Sequence, residues 1–291
     1  MECGMTILRV YELRGERLPP GVPEEGLAGI WPEPPYFYLF YTAEALDSIL
    51  EWVKSNPQWQ LTSSYTLPYE QWQDVSGAQF TIGPFTILAA RGSEDSLGPP
   101  PRIPSGILSG ISPGIPIRID PGIVFGSGLH PTTRGCILAL AALFQANEIH
   151  KAVDLGTGTG ILAIACILLG TRRVIAIDCN MAALCVARRN AQLNGAADKI
   201  SFLAADRPAV LKAASDLLVM NLEWPILQKI LETDEWKGYP FIIASGFLES
   251  LLDHLKATVR PWFHVAETIV LDGWPIVTLA RRQAGEVAAR S

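Results

Sequence analysis

Apolar and polar positions change rhythm along this chain, and the change divides it. YFYLFY (36–41) is a short aromatic run that suits a pleated, half-buried surface and predicts a strand. Ala45, Ile49, Leu50 and Val53 then recur at helical spacing, so AEALDSILEWVK predicts a helix. WQLTSSYT (59–66) alternates enough for another strand, and FTIGPFTILAA (80–90) reads as a hairpin turning at Gly83-Pro84. The stretch 19–35, PPGVPEEGLAGIWPEPP, reads as an irregular lead-in.

Further on, the alternation gives way to continuous apolar runs: KAVDL, VIAID, DLLVMN and PFIIAS. Helical segments ILAIACILLG and MAALCVARRNAQLNG lie between them, closed by Gly170 and Gly195. Strands apolar on both faces and separated by helices predict a parallel sheet covered on both sides. FHVAETIVL and WPIVTLARR close the chain as two further strands. Residues 93–116 are dense in proline, glycine and serine and read as a linker. The expected organisation is a small α+β domain over 1–92, the linker, and an α/β domain over 117–291.

Composition narrows the function classes. Of 291 residues, 49% are hydrophobic and 18% charged, which predicts a folded chain with a sizeable core. The net charge of −6 argues against a general electrostatic grip on nucleic acid. Cys3, Cys136, Cys166, Cys179 and Cys185 form no CxxC pair and no zinc spacing, so they read as reduced thiols of a cytoplasmic protein. The first residues lack the apolar core of a signal peptide, and no window approaches the ~18 apolar residues of a membrane span.

Two glycine-bearing segments carry the chemistry. The first is FGSGLHPTT, Phe125 to Thr133; the second is DLGTGTG, Asp154 to Gly160, between a strand and its helix. In an open α/β sheet, ligands bind outside the carboxyl ends of the strands. Asp178 ends the next strand, where an acid accepts hydrogen bonds from ribose hydroxyls. A dinucleotide loop wants G-x-G-x-x-G around a pyrophosphate. Here the third glycine comes one residue early, Ile161 takes its place, and Asp154 would repel pyrophosphate. The G-x-G-x-G pattern after an acid is that of class I methyltransferases, with Asp154 expected to orient the loop and face a cationic cofactor. Asp206 follows the third strand, as a second polar contact or as an exposed loop acid. Asn221 ends the fourth, where a carboxamide can accept a hydrogen bond from an incoming amine and fix its direction. His130 has no H-x-H or H-E-x-x-H company and reads as a structural residue heading the helix that starts at Pro131, not as a metal ligand.

With these residues placed, IDPGIVFGSGLHPTT, DLGTGTGILAIA, AIDCNMAAL, ARRNAQLNG, DLLVMNL and ASGFLES together resemble the ribosomal protein L-11 methyltransferase (PrmA) family over about 117–282. The FGxGxHPTT pattern is rare outside that family. The resemblance implies a class I, Rossmann-like seven-stranded methyltransferase domain preceded by a small α+β substrate-recognition domain. It implies S-adenosylmethionine as cofactor, touching Phe125, Thr133, Gly156, Asp178 and Asn221, with Gly158 and Gly160 completing the loop and Asn221 also serving catalysis. The implied reaction methylates lysine ε-amino and N-terminal α-amino groups of ribosomal protein L-11. Beside the resemblance, the expectation is a cytoplasmic monomer that engages neither nucleic acid directly nor membrane. Two departures stand out. Leu129 replaces a polar residue of the first loop, and Leu222-Glu223-Trp224-Pro225 replaces an Ile-Leu-Ala-type run beside the target amine. Trp224 and Phe125 are expected as apolar walls there. Three rival readings stay open: a related enzyme acting on another protein or a small amine, a nicotinamide-dependent oxidoreductase, and a non-catalytic binding protein.

Overall fold

The computed structural model describes residues 7–16, 19–33, 35–68, 79–89, 114–120, 124, 126–205 and 215–282. The chain forms two compact units, Met1–Ser76 with Gly122–Val124, and Gly77–Pro121 with Phe125–Ser291.

The first unit is a four-stranded antiparallel sheet with one helix. Its strands are β1 (Ile7–Arg14), β2 (Leu27–Glu33), β3 (Tyr36–Tyr41) and β4 (Gln60–Pro68), in the order β2-β3-β1-β4. Helix α1 is Leu46–Ser55. Tyr11 pairs with Leu39 and Leu13 with Phe37, and these side chains join Tyr41, Ile49 and Trp59 in one core. Much of the lead-in expected to be irregular is strand β2. Its composition hides it because Pro32 lies in it, which an edge strand tolerates. Strand β1 also goes beyond what the pattern predicted.

The second unit holds two sheets. Strands β5 (Gln79–Ile82) and β6 (Phe85–Ala89) form the expected hairpin. By its contacts this hairpin groups with the second unit, not with the N-terminal module, because β6 pairs in parallel with β7 (Ile115–Ile119). Strand β7 begins in the last residues of the stretch read as linker; 93–113 lie outside the described residues.

The main sheet has seven strands: β8 (Lys151–Leu155), β9 (Arg173–Asp178), β10 (Ile200–Ala204), β11 (Leu217–Asn221), β12 (Phe241–Ser245), β13 (Phe263–Leu271) and β14 (Trp274–Arg281). Their order is β10-β9-β8-β11-β12-β14-β13, parallel except for β14. This is the expected α/β, Rossmann-like seven-stranded fold. Helices α2 (Pro131–Ala146), α3 (Ile161–Leu168), α4 (Met181–Leu193), α5 (Trp224–Leu231) and α6 (Leu252–Val259) complete the unit. Side chains alternate between two cores. Ala152, Leu217, Val219 and Ile243 enter one, while Val153, Leu218, Met220 and Ile242 enter the other. That double burial is why these strands read as unbroken apolar runs. The winding reverses between β8 and β11, which makes the carboxyl end of β8 a topological switch point.

Candidate functional site

The second glycine run leaves β8 at that switch point. Gly156, Gly158 and Gly160 all have positive φ, at 75°, 53° and 81°, a conformation that side chains disfavour. The Gly156 and Thr157 N–H groups donate to the Ile177 carbonyl at 2.8 and 2.9 Å, which ties the loop to β9. The Gly158 N–H donates to Asp178 Oδ2 at 3.0 Å, and Asp178 Oδ1 accepts from the Asn180 N–H at 2.9 Å. A carboxylate offers about four lone-pair sites, so Asp178 keeps acceptor capacity for hydroxyls.

Asp154 braces this loop from inside. It is 1% exposed, and its Oδ2 accepts from the Thr157 hydroxyl at 2.6 Å and the Ala163 N–H at 3.1 Å. It therefore orients the loop as expected, but its burial removes it from the expected position facing a cofactor. Burial pushes its pKa up to about 6, with the two hydrogen bonds opposing the rise and the nearby Asp178 charge adding to it. The folded state thus binds more protons than the unfolded one between about pH 4 and 6. Asp154's contribution is full below that range and is lost as pH rises through it, by roughly 2–3 kcal/mol at ~1.4 kcal/mol per pH unit. Asp154→Asn should keep the acceptor and flatten this fall in urea unfolding measured from pH 4 to 7. Parallel pH profiles for the two proteins would refute the assignment.

The first glycine segment packs onto the second. The Thr159 hydroxyl donates to the Gly126 carbonyl at 2.7 Å. His130 caps α2: its Nδ1 accepts from the Thr132 N–H at 3.3 Å and lies 2.8 Å from the Thr132 hydroxyl. Its ring meets Trp274 edge-on at 5.1 Å, and burial lowers its pKa. Pro131 then opens the helix, placing buried Thr133 in the first turn. Across from it, Asn221 Nδ2 donates to Thr133 Oγ1 at 3.5 Å, at the outer limit of a hydrogen bond. Leu129 is 47% exposed, and its N–H donates to Ser127 Oγ at 3.5 Å.

The fold thus gathers Gly156, Gly158, Gly160 and Asp178 in one hydrogen-bonded group, and brings Thr133 to Asn221. Phe125 and Asp206 lie outside the described residues. The half-buried Trp224 ring packs edge-on against Phe247 at 5.6 Å and His254 at 5.4 Å. From sequence, Leu222 stood out only within the run 222–225, not as a neighbour of the glycine loop. A Cβ on Gly156 would come within 2.3 Å of Leu222 Cδ2, so this side chain packs directly against the start of the glycine loop. Its apolar character right after Asn221 was the available signal.

The model of the ribosomal protein L-11 methyltransferase (PrmA) family matches residues 111–282, more than half of the chain and all seven strands of the main sheet. The chain belongs to this family. It is 35% identical over 169 residues to the ribosomal protein L-11 methyltransferase of Shewanella pealeana, covering 57% of this chain and 56% of the relative. It is 38% identical over 161 residues to that of Aeromonas hydrophila subsp. hydrophila, covering 54% of each. The chain thus spans about half the length of the curated relatives it matches. Among solved structures, a ribosomal protein L-11 methylase from Lactobacillus delbrueckii subsp. bulgaricus aligns with a TM-score of 0.57 at 23% identity. That alignment covers 70% of this chain and 99% of the other, and bears on the fold. Among the described residues, no helix is long and apolar enough to cross a membrane.

Proposed function

We propose that this chain is a cytoplasmic, S-adenosylmethionine-dependent protein N-methyltransferase acting on lysine ε-amino and N-terminal α-amino groups of ribosomal protein L-11. Membership of the family supports the activity. The observation that carries the site is the hydrogen bond from the Gly158 N–H to Asp178, which joins a side-chain-free loop to an acid with spare acceptor capacity at the switch point. That donor set suits a nucleoside with vicinal hydroxyls and no phosphate. Gly156, Gly158, Gly160 and Asp178 would hold this end, and Thr133, Asn221 and Phe125 the other. The first unit, with its own core, serves to dock the protein substrate.

S-adenosylmethionine supplies a methyl group already activated on a sulfonium. What remains for the chain is to present an amine in line and unprotonated. A lysine of ordinary pKa near 10.4 gives up about 4–5 kcal/mol to lose its proton at pH 7. An apolar surrounding lowers that figure, and Leu222 supplies apolar surface next to Asn221.

Titration calorimetry with S-adenosylmethionine and with NAD separates the leading reading from an oxidoreductase: heat is expected with the first ligand alone. Labelled donor with purified L-11, followed by mass spectrometry, should show whole methyl increments on its amines. Tight donor binding without transfer to L-11 would reject the substrate; binding of NAD in place of the donor would reject the reaction.

A further inference from the structure

Helix α4 turns two asparagines inward. Ala187, Asn190, Ala191 and Asn194 are all buried, although two of the four are polar. Buried amides need partners, and they find them on β7, an edge strand of the three-stranded sheet, and at the residue that follows it. Asn194 Oδ1 accepts from the Arg118 N–H at 2.8 Å, and its Nδ2 donates to the Arg118 carbonyl at 2.7 Å. Asn190 repeats this with Asp120, at 2.9 and 3.0 Å. The match is geometric. Four residues of helix advance about 6 Å, and two residues of strand about 6.6 Å. Two side-chain amides therefore act as rungs where a neighbouring strand would otherwise sit. Arg189 adds an ion pair to Asp120 at 3.2 Å.

One bond sets the two asparagines apart. Asn194 spends its remaining donor within the helix, on the Asn190 carbonyl at 2.8 Å. Asn190 Nδ2 also donates to the Thr159 carbonyl, in the glycine loop, at 2.9 Å. Thr159 passes the connection on through its hydroxyl to Gly126. A chain of hydrogen bonds thus runs from the end of β7, through Asn190 and Thr159, to the FGSGLHPTT loop.

We propose that Asn190 is a positioning residue for the glycine loop, fixing Thr159 and with it Gly158 and Gly160 relative to the first loop, and through them the methyl donor. Positioning of the donor rests on the function proposed above; positioning of the loop does not. The test compares full-length wild type, Asn190→Ala and Asn194→Ala, which removes the rung without the link to Thr159. Amide exchange without ligand is read over 156–160, and KM and kcat for S-adenosylmethionine are read with L-11. Asn190→Ala should speed loop exchange and raise KM about tenfold each, as loss of a bond worth ~1.4 kcal/mol would, with kcat within about twofold. Asn194→Ala should lower the unfolding midpoint but leave loop exchange and KM unchanged. Unchanged loop exchange in Asn190→Ala, or equal effects from both variants, would overturn the proposal. If Asn190→Ala does not fold, Asn190→Asp keeps the acceptor for the Asp120 N–H but has no N–H for the Thr159 carbonyl, and slow loop exchange in it would equally overturn the proposal. A wild type that binds no donor defeats the donor reading alone, while loop exchange still decides the role of Asn190.

Discussion

Gly246→Ala should be the most destabilising single-methyl substitution at the site. Gly246 follows β12 with φ of 95°. A Cβ there would lie 2.3 Å from the Leu222 carbonyl oxygen, 2.6 Å from its carbon and 2.7 Å from its nitrogen. These are backbone atoms, so no rotamer change relieves the clash. Nor is the peptide free to retreat, because the Leu222 N–H donates to the Ser245 carbonyl at 3.0 Å just beyond the pairing of Asn221 with Ser245. The strain of a positive φ costs about 1–3 kcal/mol, and the overlap adds to it, so a loss of roughly 4 kcal/mol or more is expected. Gly273→Ala separates the two terms. Its φ is 80°, but nothing lies within 4 Å of the added methyl. It should lose only the strain term, about 1–2 kcal/mol. Equal losses for the two variants in urea unfolding would mean that Leu222 yields, and the packing account would fail. The displacement should also reach the glycine loop, since Leu222 lies against both Gly246 and Gly156.

That coupling shows where the sequence stops being informative. The buried strands were legible because each must be apolar on two faces, and Ile161–Leu168 because all eight of its residues are buried. The loop after β8 was legible because only glycine suits three positive φ values so close together. Strands β1, β2 and β7 were not. The first unit buries one face under a single helix, and proline in β2 and β7 imitates a loop while occupying sheet edges. The pairing of Thr133 with Asn221 spans 88 residues, and local pattern has no access to it. Asn190 and Asn194 drew no reading from the sequence, although their helical spacing from Ala187 and Ala191 puts them on the apolar face, where an amide demands buried partners. Leu129 is plain for a different reason: its side chain is exposed, and the loop contact it makes, an N–H donated to Ser127 Oγ at 3.5 Å, is one that any residue but proline can make.

Asn221→Ala should leave the fold standing and remove most of the activity. Asn221 ends β11, with its backbone fixed by pairing to Ser245 and its side chain half-buried at the switch point. Among the described residues its one side-chain bond, to Thr133 at 3.5 Å, is too long to contribute much, so stability should change by no more than about 1 kcal/mol. The carboxamide oxygen has no hydrogen-bond donor among the described residues and is available to an amine N–H. Losing that acceptor frees the nucleophile to rotate, and misplacement of this kind costs about 100-fold in rate. The loss should fall on kcat, with donor affinity reduced less, because the glycine loop and Asp178 remain. Asn221→Asp distinguishes orientation from charge. A carboxylate in the same place accepts the same hydrogen bond but favours the protonated amine. Its rate should therefore recover as pH is raised, while that of Asn221→Ala should not. If Asn221→Ala keeps kcat within about threefold of wild type, well short of that 100-fold expectation, the carboxamide does not direct the amine. The alignment would then have to come from the apolar surface of Leu222 and from docking of the protein substrate on the first unit.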